Sequence, residues 1–566
     1  MKTVLKYLKP YMIPAVLCLL IKASSSLTEL AIPYMLEIII DKNVVDKDIN
    51  AVWLNGTIML GFAVLTFMLN IVGNRIAAYA TGRFSRDLRH DLFVSTVNLD
   101  AESTDRFGLS SLTSRLTSDT YNVTNFLARL QRVGLKAPLT LIAGVIITVT
   151  IDFRYALILI GVIPLVSITV FFITKKSIPL YKEEQDILDG IVRRVDETAT
   201  GIRVIKALSK NDYEKKRFSE RTYALARKEI EAGRLMSATK PINDFIFYLG
   251  FCFVILVGAI LSANGGDAEP GKLMTFMTYF TIILNNTILI TRVFVQGSRS
   301  IASAARIEEV LKEKRHITEK PGEEREEEDY IVFDSVSFSY NKKVSNVKNV
   351  SFGIRKGQTL GIIGATGSGK TTIINLLVRL YDPDSGEIRI GGRPLSAIPK
   401  QELNSLFGVA FQNDFVPAAT MDENIKFFRN ISDESVDSAL EFAQAREIVA
   451  NIDGGLSYDV TTRATNLSGG QKQRLLIARA VASDPEILVL DDSSSALDYK
   501  TDAALRRAIK LREGKTTVIV SQRIASVMHS DKIIVLDNGD VIGIGTHDEL
   551  MEHCQEYKDI AEVQFG

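Results

Sequence analysis

The 566-residue sequence has little cysteine, histidine and tryptophan, and neither sign of charge is in excess. Its three cysteines, Cys18, Cys252 and Cys554, show no spacing that suggests a disulfide framework or a metal site, so reduced thiols are expected. Lysine plus arginine and aspartate plus glutamate both number 67, which makes the formal net charge zero. A nucleic-acid partner needs a basic surplus or patch, so this balance predicts no nucleic-acid partner.

Apolar residues make up 46% of the sequence, and the long apolar runs all lie before about residue 300. Each run reaches the roughly 20 residues that a helix needs to cross the hydrocarbon core of a bilayer. We therefore predict membrane spans near 12–37, 53–80, 130–151, 155–174, 243–263 and 273–295. The alternative, a set of buried helices in a soluble protein, is disfavoured because six such runs occupy one half of the chain.

Two long polar segments, 81–129 and 175–240, separate span 2 from span 3 and span 4 from span 5, and both are rich in lysine and arginine. The opposite connections, 152–154 and 264–272, are short. The positive-inside rule then places both long segments and both termini in the cytoplasm of a multi-pass cell-membrane protein (plasma or inner membrane). Because unstructured connections of this length are uncommon, we expect the spans to continue as long helical hairpins.

The second part of the chain alternates strand-like and helix-like segments, which is typical of an α/β domain. We predict a transmembrane domain over 1–305, a linker over 306–329 and an α/β domain over 330–566, which would lie in the cytoplasm. The predicted fold class is thus multidomain, with an α-helical bundle of six spans followed by an α/β P-loop domain.

A P-loop supplies the first chemical motif. Residues 358–363 (QTLGII) predict a buried strand, and they lead through a glycine-rich loop into a helical run, TIINLLVRL. The predicted nucleotide-binding residues are Gly364, Thr366, Gly367, Ser368, Gly369, Lys370, Thr371 and Thr372. Glycine lets the loop turn its N–H groups toward phosphate, Lys370 would reach the β- and γ-phosphates, and the Thr371 hydroxyl would ligate Mg²⁺. ATP and Mg²⁺ are therefore the expected cofactors.

A second apolar strand, 486–492 (EILVLDD), ends in two carboxylates. A strand that delivers an aspartate beside a P-loop is typical of a Walker B element, with Asp491 holding Mg²⁺. Taken alone, such a strand end could simply face water, but the P-loop favours the nucleotide role.

Between these two motifs lies the pentapeptide Leu467, Ser468, Gly469, Gly470 and Gln471, which resembles the signature of ABC ATPases. With the six predicted spans, nearly the whole chain resembles the half-transporters of the ABC exporter family. The resemblance implies that Tyr340 stacks on adenine, that Gln412 contacts Mg²⁺, and that residues 198–208 belong to a cytoplasmic hairpin. It also implies a D-loop at Ser495, Ala496, Leu497 and Asp498. In this family each ATP lies between the P-loop of one chain and the signature of another, so a dimer is implied.

Three positions depart from the family pattern. Asp492 replaces the glutamate that polarises water, Gln522 replaces a histidine, and Thr462 replaces a glutamate before the signature. Asp492 and Gln522 (the degenerate catalytic positions) belong to this chain's own ATP site, whereas the signature serves another site. The sequence therefore resembles the degenerate-site subunit of heterodimeric bacterial multidrug exporters, with a partner that carries the glutamate and the histidine. The alternative is neutral drift in a homodimer that still hydrolyses ATP.

The transported molecule is the least determined feature. Ionisable residues inside spans usually face a cavity, so Glu29 and Arg292 are candidate substrate-cavity residues, with structural or snorkelling roles as the alternative. The resemblance implies small amphipathic or lipid-like substrates, with membrane lipid and a small molecule as partners. A homodimeric exporter of lipid or peptide, an ATP-regulated channel and a soluble ATPase acting on nucleic acid are the other functions considered.

Overall fold

The computed structural model describes residue 4 and residues 6–263, 270–314, 317–412 and 415–565. By their internal contacts the residues separate into two compact units. The first unit holds Met1–Asn98 and Gly108–Glu313, and the second holds Leu99–Phe107 together with Lys314–Gly566. The segment Leu99–Phe107 thus groups with the carboxyl-terminal part of the chain, although the sequence analysis assigned it to the transmembrane domain.

Among the described residues, six helical stretches of the first unit are long and apolar enough to cross a membrane. They are Lys9–Val44, Ile49–Val97, Leu109–Ile151, Phe153–Thr200, Asn211–Ile260 and Pro270–Ile290. The α-helices within this unit are Met12–Ile38, Ile49–Val97, Leu109–Ser114, Thr120–Arg129, Lys136–Ile151, Phe153–Thr200, Ile202–Ala207, Asn211–Ser237, Thr239–Ala263 and Pro270–Leu311. The fold class predicted from the apolar runs is confirmed, since each run coincides with one of these stretches.

Several of these helices are much longer than a bilayer is thick. At 1.5 Å per residue, the 49 residues of Ile49–Val97 extend for about 70 Å, roughly twice the hydrocarbon core. The polar segments after the apolar runs are therefore helical over most of their described length, as the amphipathic pattern predicts.

The apolar side chains of helix Ile49–Val97 are mostly exposed. Only 6% of its apolar window is buried, and Trp53, Leu60 and Phe67 are each more than 60% exposed. Soluble proteins rarely expose an apolar surface of this extent, so the exposure indicates contact with lipid. The interpretation of these runs as buried helices of a soluble protein is therefore disfavoured.

The interior of the first unit is built around helix Pro270–Leu311. Its side chains Phe276, Tyr279 and Ile283 are fully buried. The Tyr279 hydroxyl donates a hydrogen bond to the Leu30 carbonyl at 2.5 Å, which satisfies a polar group that would otherwise be costly to bury.

The second unit contains twelve strands within its described residues. They are β1 (Ile331–Phe338), β2 (Val347–Ile354), β3 (Thr359–Gly364), β4 (Ser385–Ile390), β5 (Arg393–Pro394), β6 (Phe407–Ala410), β7 (Ala419–Thr420), β8 (Asp459–Val460), β9 (Ile487–Asp491), β10 (Thr516–Val520), β11 (Lys532–Asp537) and β12 (Asp540–Gly545). Its α-helices are Ala101–Phe107, Lys370–Leu377, Lys400–Leu406, Met421–Lys426, Asp433–Phe442, Arg446–Asn451, Gly469–Val481, Tyr499–Lys510, Ile524–Val527, His547–His553 and Gln555–Phe565.

Strand order explains why the motifs meet. The larger sheet has the order β12-β11-β3-β10-β9-β6, in which β11, β3, β10, β9 and β6 run parallel and β12 is an antiparallel edge strand. Strands β9 and β10 are buried along their whole length, as expected for parallel strands that are covered on both faces. The loops that follow β3, β9 and β10 therefore leave the same edge of the sheet side by side.

Four element boundaries differ from the predictions. The connection expected at 152–154 is the single residue Asp152, because its carboxylate accepts a hydrogen bond from the Arg154 amide at 2.8 Å and caps the helix that begins at Phe153. Helix Pro270–Leu311 begins within the expected 264–272 connection, whose residues 264–269 lie outside the described part. The same helix extends past the expected start of the linker 306–329. The helix after the P-loop covers Lys370–Leu377, so it ends three residues before the end of the predicted helical run 372–380. The boundaries 1–305, 306–329 and 330–566 remain predictions.

Candidate nucleotide site

The loop between β3 and helix Lys370–Leu377 lies at the carboxyl edge of the parallel sheet. Gly367 and Gly369 have φ values of 85° and 103°, in the region that favours glycine. At Gly369 a Cβ atom would also come within 2.7 Å of the Asn346 backbone oxygen. Glycine at 369 is therefore required both by the backbone and by its neighbour, and the loop leads into a helix N-terminus, where the dipole favours an anion.

Lys370 folds back over this loop. Its ammonium donates hydrogen bonds to the carbonyl oxygens of Gly364 at 2.8 Å and Ala365 at 2.7 Å. Burial lowers the pKa of Lys370, while the carboxylates of Asp492 and Asp491 act in the opposite direction. Because charged phosphate oxygens are stronger acceptors than neutral carbonyls, the position of Lys370 suits phosphate binding.

Asp491 ends β9 and is 2% exposed. Burial raises the pKa of Asp491, and a hydrogen bond from the Thr371 hydroxyl partly opposes that increase. Within the described residues, the Oδ2 atom of Asp491 is buried and has no hydrogen-bond partner. A buried carboxylate oxygen is costly unless it is paired, so this atom is suited to a metal ion or a metal-bound water.

Thr371, Gln412 and Asp491 line one cleft and offer a hydroxyl, an amide oxygen and a carboxylate. Magnesium is usually held by one or two carboxylates together with substrate phosphates rather than by a cage of protein ligands. In the described part of the chain, no three His, Cys, Asp or Glu side chains come together as a metal cluster, which fits this kind of site. The donor set is therefore compatible with Mg²⁺ brought by ATP.

The cleft has a volume of about 220 Å³ and brings the three motif loops together. Its lining residues are Asn346, Thr366, Gly367, Gly369, Lys370, Thr371, Thr372, Gln412, Asp491, Asp492, Val520, Ser521 and Gln522. Gly364, Ser368 and Tyr340 from the predicted set are not among them. Asn346, which the sequence analysis missed, has no motif that could have revealed it, because it enters through its place before β2.

Asp492 follows β9 in a left-handed conformation, with φ of 50°. Its amide donates to the Val520 carbonyl at 2.9 Å, and its Oδ2 accepts from the Gln412 amide nitrogen at 3.3 Å. Burial raises the pKa of Asp492, whereas the cations of Lys370 and Arg523 lower it. The Asp492 carboxylate therefore lies in the cleft, held by Gln412.

The loop after β10 carries Gln522, and a residue near the C-terminus holds this loop. The Gln564 side-chain amide donates to the Gln522 carbonyl at 2.7 Å, and its oxygen accepts from the Ile524 amide at 2.8 Å. One side chain thus fixes both ends of a three-residue turn. No sequence pattern could have identified Gln564, because its role depends on helix Gln555–Phe565 packing against this loop.

The predicted D-loop is connected to the same loops. The Ser495 hydroxyl donates to the Asp492 carbonyl at 2.9 Å, and the Arg523 guanidinium donates to the Ser495 carbonyl at 3.0 Å. Asp498 caps helix Tyr499–Lys510 by accepting from the Thr501 amide at 2.9 Å, and this hydrogen bond lowers the pKa of Asp498. Ser495 therefore links Asp492 and Arg523 through hydrogen bonds.

Tyr340 lies just after β1 and is 41% exposed. Its ring packs edge-on against Tyr381, with centroids 5.1 Å apart, and its hydroxyl accepts from the Asn375 amide at 3.0 Å. Tyr381 in turn donates to the Asp105 carboxylate at 2.5 Å. Burial raises the pKa of Tyr381, and the hydrogen bond to Asp105 adds to that effect. The aromatic face suggested for adenine is thus outside the cleft, beside segment Leu99–Phe107.

The signature pentapeptide stands at the start of helix Gly469–Val481. The Ser468 hydroxyl accepts from the Gln471 amide at 3.3 Å, and the Gln471 side chain accepts from the Ser468 amide at 2.8 Å, which forms a capping box. None of the residues from Leu467 to Gln471 lines the P-loop cleft. The signature therefore does not contribute to this cleft.

Glu29 and Arg292 do not share a cavity. Glu29 forms an ion pair with Lys136 at 2.7 Å and lines a cavity of about 460 Å³. Arg292 lines a neighbouring cavity of about 900 Å³. Asn285 and Leu289 line both, so the two cavities adjoin along helix Pro270–Leu311.

Comparison with known families agrees with both units. The model of the ABC transporter transmembrane region matches residues 15–288, and the ABC transporter model matches residues 347–495. The chain is 34% identical to the uncharacterized ABC transporter ATP-binding protein YfiB of Bacillus subtilis (strain 168), over all of this chain and 99% of that protein. It is 30% identical to the uncharacterized ABC transporter ATP-binding protein YknU of the same organism, over 94% of this chain and 92% of that protein.

Among solved structures, the chain is similar to a bacterial Atm1-family ABC exporter with ATP bound. The TM-score is 0.80 at 21% identity, and the alignment covers 99% of this chain and all of that one. At this identity the likeness concerns the fold.

We expect Gly369→Ala to weaken ATP binding about tenfold or more, because the new Cβ collides with Asn346 and the backbone must leave its left-handed conformation. Binding of a fluorescent ATP analogue to the purified chain would measure the loss. Gly514→Ala is the matched control, since Gly514 also has a positive φ of 69° but lies in open space outside the cleft. Equal affinity of both variants would contradict this account of the loop.

Replacing Gln564 with leucine should free the loop that carries Gln522. Losing a hydrogen bond of about 1 kcal/mol predicts roughly fivefold faster hydrogen exchange at the Ile524 amide. Mass spectrometry of the peptide that contains Ile524 provides the measurement. Gln555→Leu is the control, because Gln555 lies on the same helix and its side chain, among the described residues, bonds to Asp559 of that helix alone. Unchanged exchange at Ile524 in the Gln564 variant would refute the clamp.

Proposed function

Because this chain belongs to the ABC transporter family and carries the transmembrane region and the ATPase on one polypeptide, we propose that it is one half of a heterodimeric exporter. Its own site binds ATP with Mg²⁺ and hydrolyses it slowly. Its signature, Leu467–Gln471, completes the fast site of a partner half-transporter that carries the Walker B glutamate and the switch histidine.

The observation that carries this proposal is that the cleft and the signature are separate. The cleft contains Asp492 and Gln522, two of the three positions that depart from the family pattern, whereas the signature lies outside it. The first-turn amides of Gly469 and Gly470 have no acceptor within their own helix, and the capping box leaves them at an exposed helix start. They can therefore receive phosphate charge from a nucleotide held by another chain.

The carboxylate of Asp492 is too short for the role of a glutamate. Losing one methylene retracts the carboxylate by roughly 1 Å, and a misplacement of that size can lower the rate about 10²-fold. Gln412 holds the Asp492 carboxylate at 3.3 Å, which further restricts its reach toward an attacking water. The site is therefore suited to holding ATP across the interface and poorly suited to hydrolysing it.

The glutamine at position 522 also makes the site poorly suited to hydrolysing ATP. A glutamine amide can donate a hydrogen bond to the γ-phosphate, but it carries no positive charge and cannot accept and release a proton as histidine does. The loop that bears it is fixed by Gln564, so the substitution lies in an ordered part of the cleft.

We further propose that both termini and the ATPase unit lie in the cytoplasm, following the lysine and arginine content of segments 81–129 and 175–240. The cargo is a small amphipathic or lipid-like molecule, which enters from the cytoplasm or from membrane lipid. We propose no nucleic-acid partner, because the chain carries no excess of positive charge.

Two alternatives predict different measurements. A homodimeric exporter of lipid or peptide would hydrolyse ATP and transport without a second polypeptide. An ATP-regulated channel would conduct ions passively in vesicles in which an exporter would accumulate cargo only with ATP.

The proposal predicts slow ATP turnover by the purified chain alone. The double change Asp492→Glu with Gln522→His should raise it about 10²-fold, because it restores the reach of the carboxylate and the titratable switch residue. Rapid turnover by the unmodified chain without a partner would refute the proposed asymmetry.

The control for this experiment is Asp484→Glu. Asp484 also has a left-handed backbone, with φ of 47°, but it is exposed and pairs with Lys515 away from the cleft. Both variants add a methylene at a position where a non-glycine residue costs about 1 kcal/mol or more. A melting temperature for each would separate a loss of folded protein from a change in catalysis.

A further inference from the structure

The 460 Å³ cavity of the first unit is lined mainly by charged and amide side chains. Lys22, Arg132 and Lys136 contribute three positive charges, and Glu29 contributes one negative charge. The chain as a whole has no net charge, so this cavity concentrates positive charge within apolar helices. Its volume is in the range of small-molecule sites.

Lys22 lies inside the apolar helix Met12–Ile38 and is 3% exposed, which is too buried for its ammonium to snorkel to an interface. The ammonium donates to the Asn70 side-chain oxygen at 2.9 Å and, more weakly, to the Asn70 carbonyl at 3.4 Å. Both acceptors are neutral. Gly73 makes room for this arrangement, since a Cβ there would lie 3.0 Å from the Lys22 Cε.

The other charges leave the cavity cationic. Glu29 is used by Lys136 in the ion pair at 2.7 Å. Within the described residues, Arg132 is exposed to the cavity and makes no ion pair, and Lys22 has no carboxylate partner. Ionisable groups within spans are costly and mark substrate or ion sites by default, so an excess of two positive charges calls for an anion.

The adjoining cavity offers room for the rest of a bound molecule. It is larger, about 900 Å³, and its lining combines the apolar side chains of Val170, Ile178, Met236 and Ile288 with polar and charged ones, including Arg292. Because Asn285 and Leu289 line both cavities, one molecule can extend from the cationic cavity into the larger one. The pair can hold an anionic head in the first cavity and a body that contacts these apolar side chains in the second.

We propose that the cavity formed by Lys22, Arg132 and Lys136 binds the carboxylate or phosphate of an anionic amphiphile, and that this amphiphile is the substrate class of the exporter. That the amphiphile is a substrate rests on the proposed export function. That the cavity binds it requires neither ATP hydrolysis nor a particular partner. Glu29 then acts as an internal competitor that holds Lys136 until an external anion replaces it.

The test uses the full chain in phosphatidylcholine nanodiscs without ATP, and the probe is dansyl-undecanoic acid with its methyl ester as the uncharged analogue. We expect the acid to bind at least about tenfold more tightly than the ester, the difference expected for a charged hydrogen bond. Discs that contain phosphatidylglycerol distinguish the sources of the anion. If a lipid headgroup occupies the site, phosphatidylglycerol competes and the apparent affinity for the probe falls. If the site takes a free amphiphile, the apparent affinity for the probe stays the same.

The decisive variants change charge with little change in size. Arg132→Gln and Lys22→Gln should each weaken binding of the acid about tenfold and leave binding of the ester unchanged. Glu29→Gln should strengthen binding of the acid several-fold, an effect that misfolding cannot imitate. Arg75→Gln is the control, since Arg75 lies on helix Ile49–Val97 near Gly73 but lines a different, apolar pocket.

Equal affinity for acid and ester, or wild-type affinity in monodisperse Arg132→Gln and Glu29→Gln proteins, would overturn the proposal. If Lys22→Gln fails to fold, the Arg132 and Glu29 variants still decide it, because Arg132 is exposed and its loss leaves no buried partner behind. Since the assay contains no ATP, its failure would leave the asymmetric ATPase proposal unaffected, and failure of that proposal would leave this binding result intact.

Discussion

The parallel pairing of β3, β10 and β9 is the constraint on which the nucleotide site depends. In a parallel sheet the carboxyl ends of neighbouring strands share one edge, so the loops after these three strands must meet. The P-loop, Asp491 with Asp492, and the loop that carries Gln522 are contributed in this way. Full burial of β9 and β10 fixes their register, and with it the positions of the carboxylates.

At that edge the loops are joined to one another as well as to the sheet. Asp492 bonds to Val520 and Gln412, Ser495 bonds back to Asp492, and Arg523 bonds to Ser495. Gln564 then holds the turn that follows β10. Asp492 and the predicted D-loop are therefore linked by a direct hydrogen bond.

The sequence predicted those parts of the molecule that depend on local pattern. The six apolar runs and the strand before the P-loop could be read from run length, composition and glycine spacing. What it could not provide was the result of packing between distant segments. Gln564 reaches the turn at Gln522 only because the last helix docks there, and Leu99–Phe107 groups with the second unit only in three dimensions.

The cavity residues show the same division. Glu29 and Arg292 were recognisable as unusual within apolar runs, but their placement in two adjoining cavities was not, because helix packing decides which face of each span turns inward. The excess of positive charge at Lys22, Arg132 and Lys136 likewise appears only once the stretches Lys9–Val44 and Leu109–Ile151 are packed together. If one of these helices were rotated by a single residue, different side chains would face the interior and the cavity would have a different lining.

The central proposal is that the ATP site of this chain holds nucleotide and hydrolyses it slowly. It is tested most directly by vanadate trapping of a photoactivatable ATP analogue in the complex with its partner, followed by separation of the two chains. Trapped nucleotide diphosphate on the partner's P-loop, with little on the loop that contains Lys370, is the predicted result. Equal trapping on both chains would contradict the account.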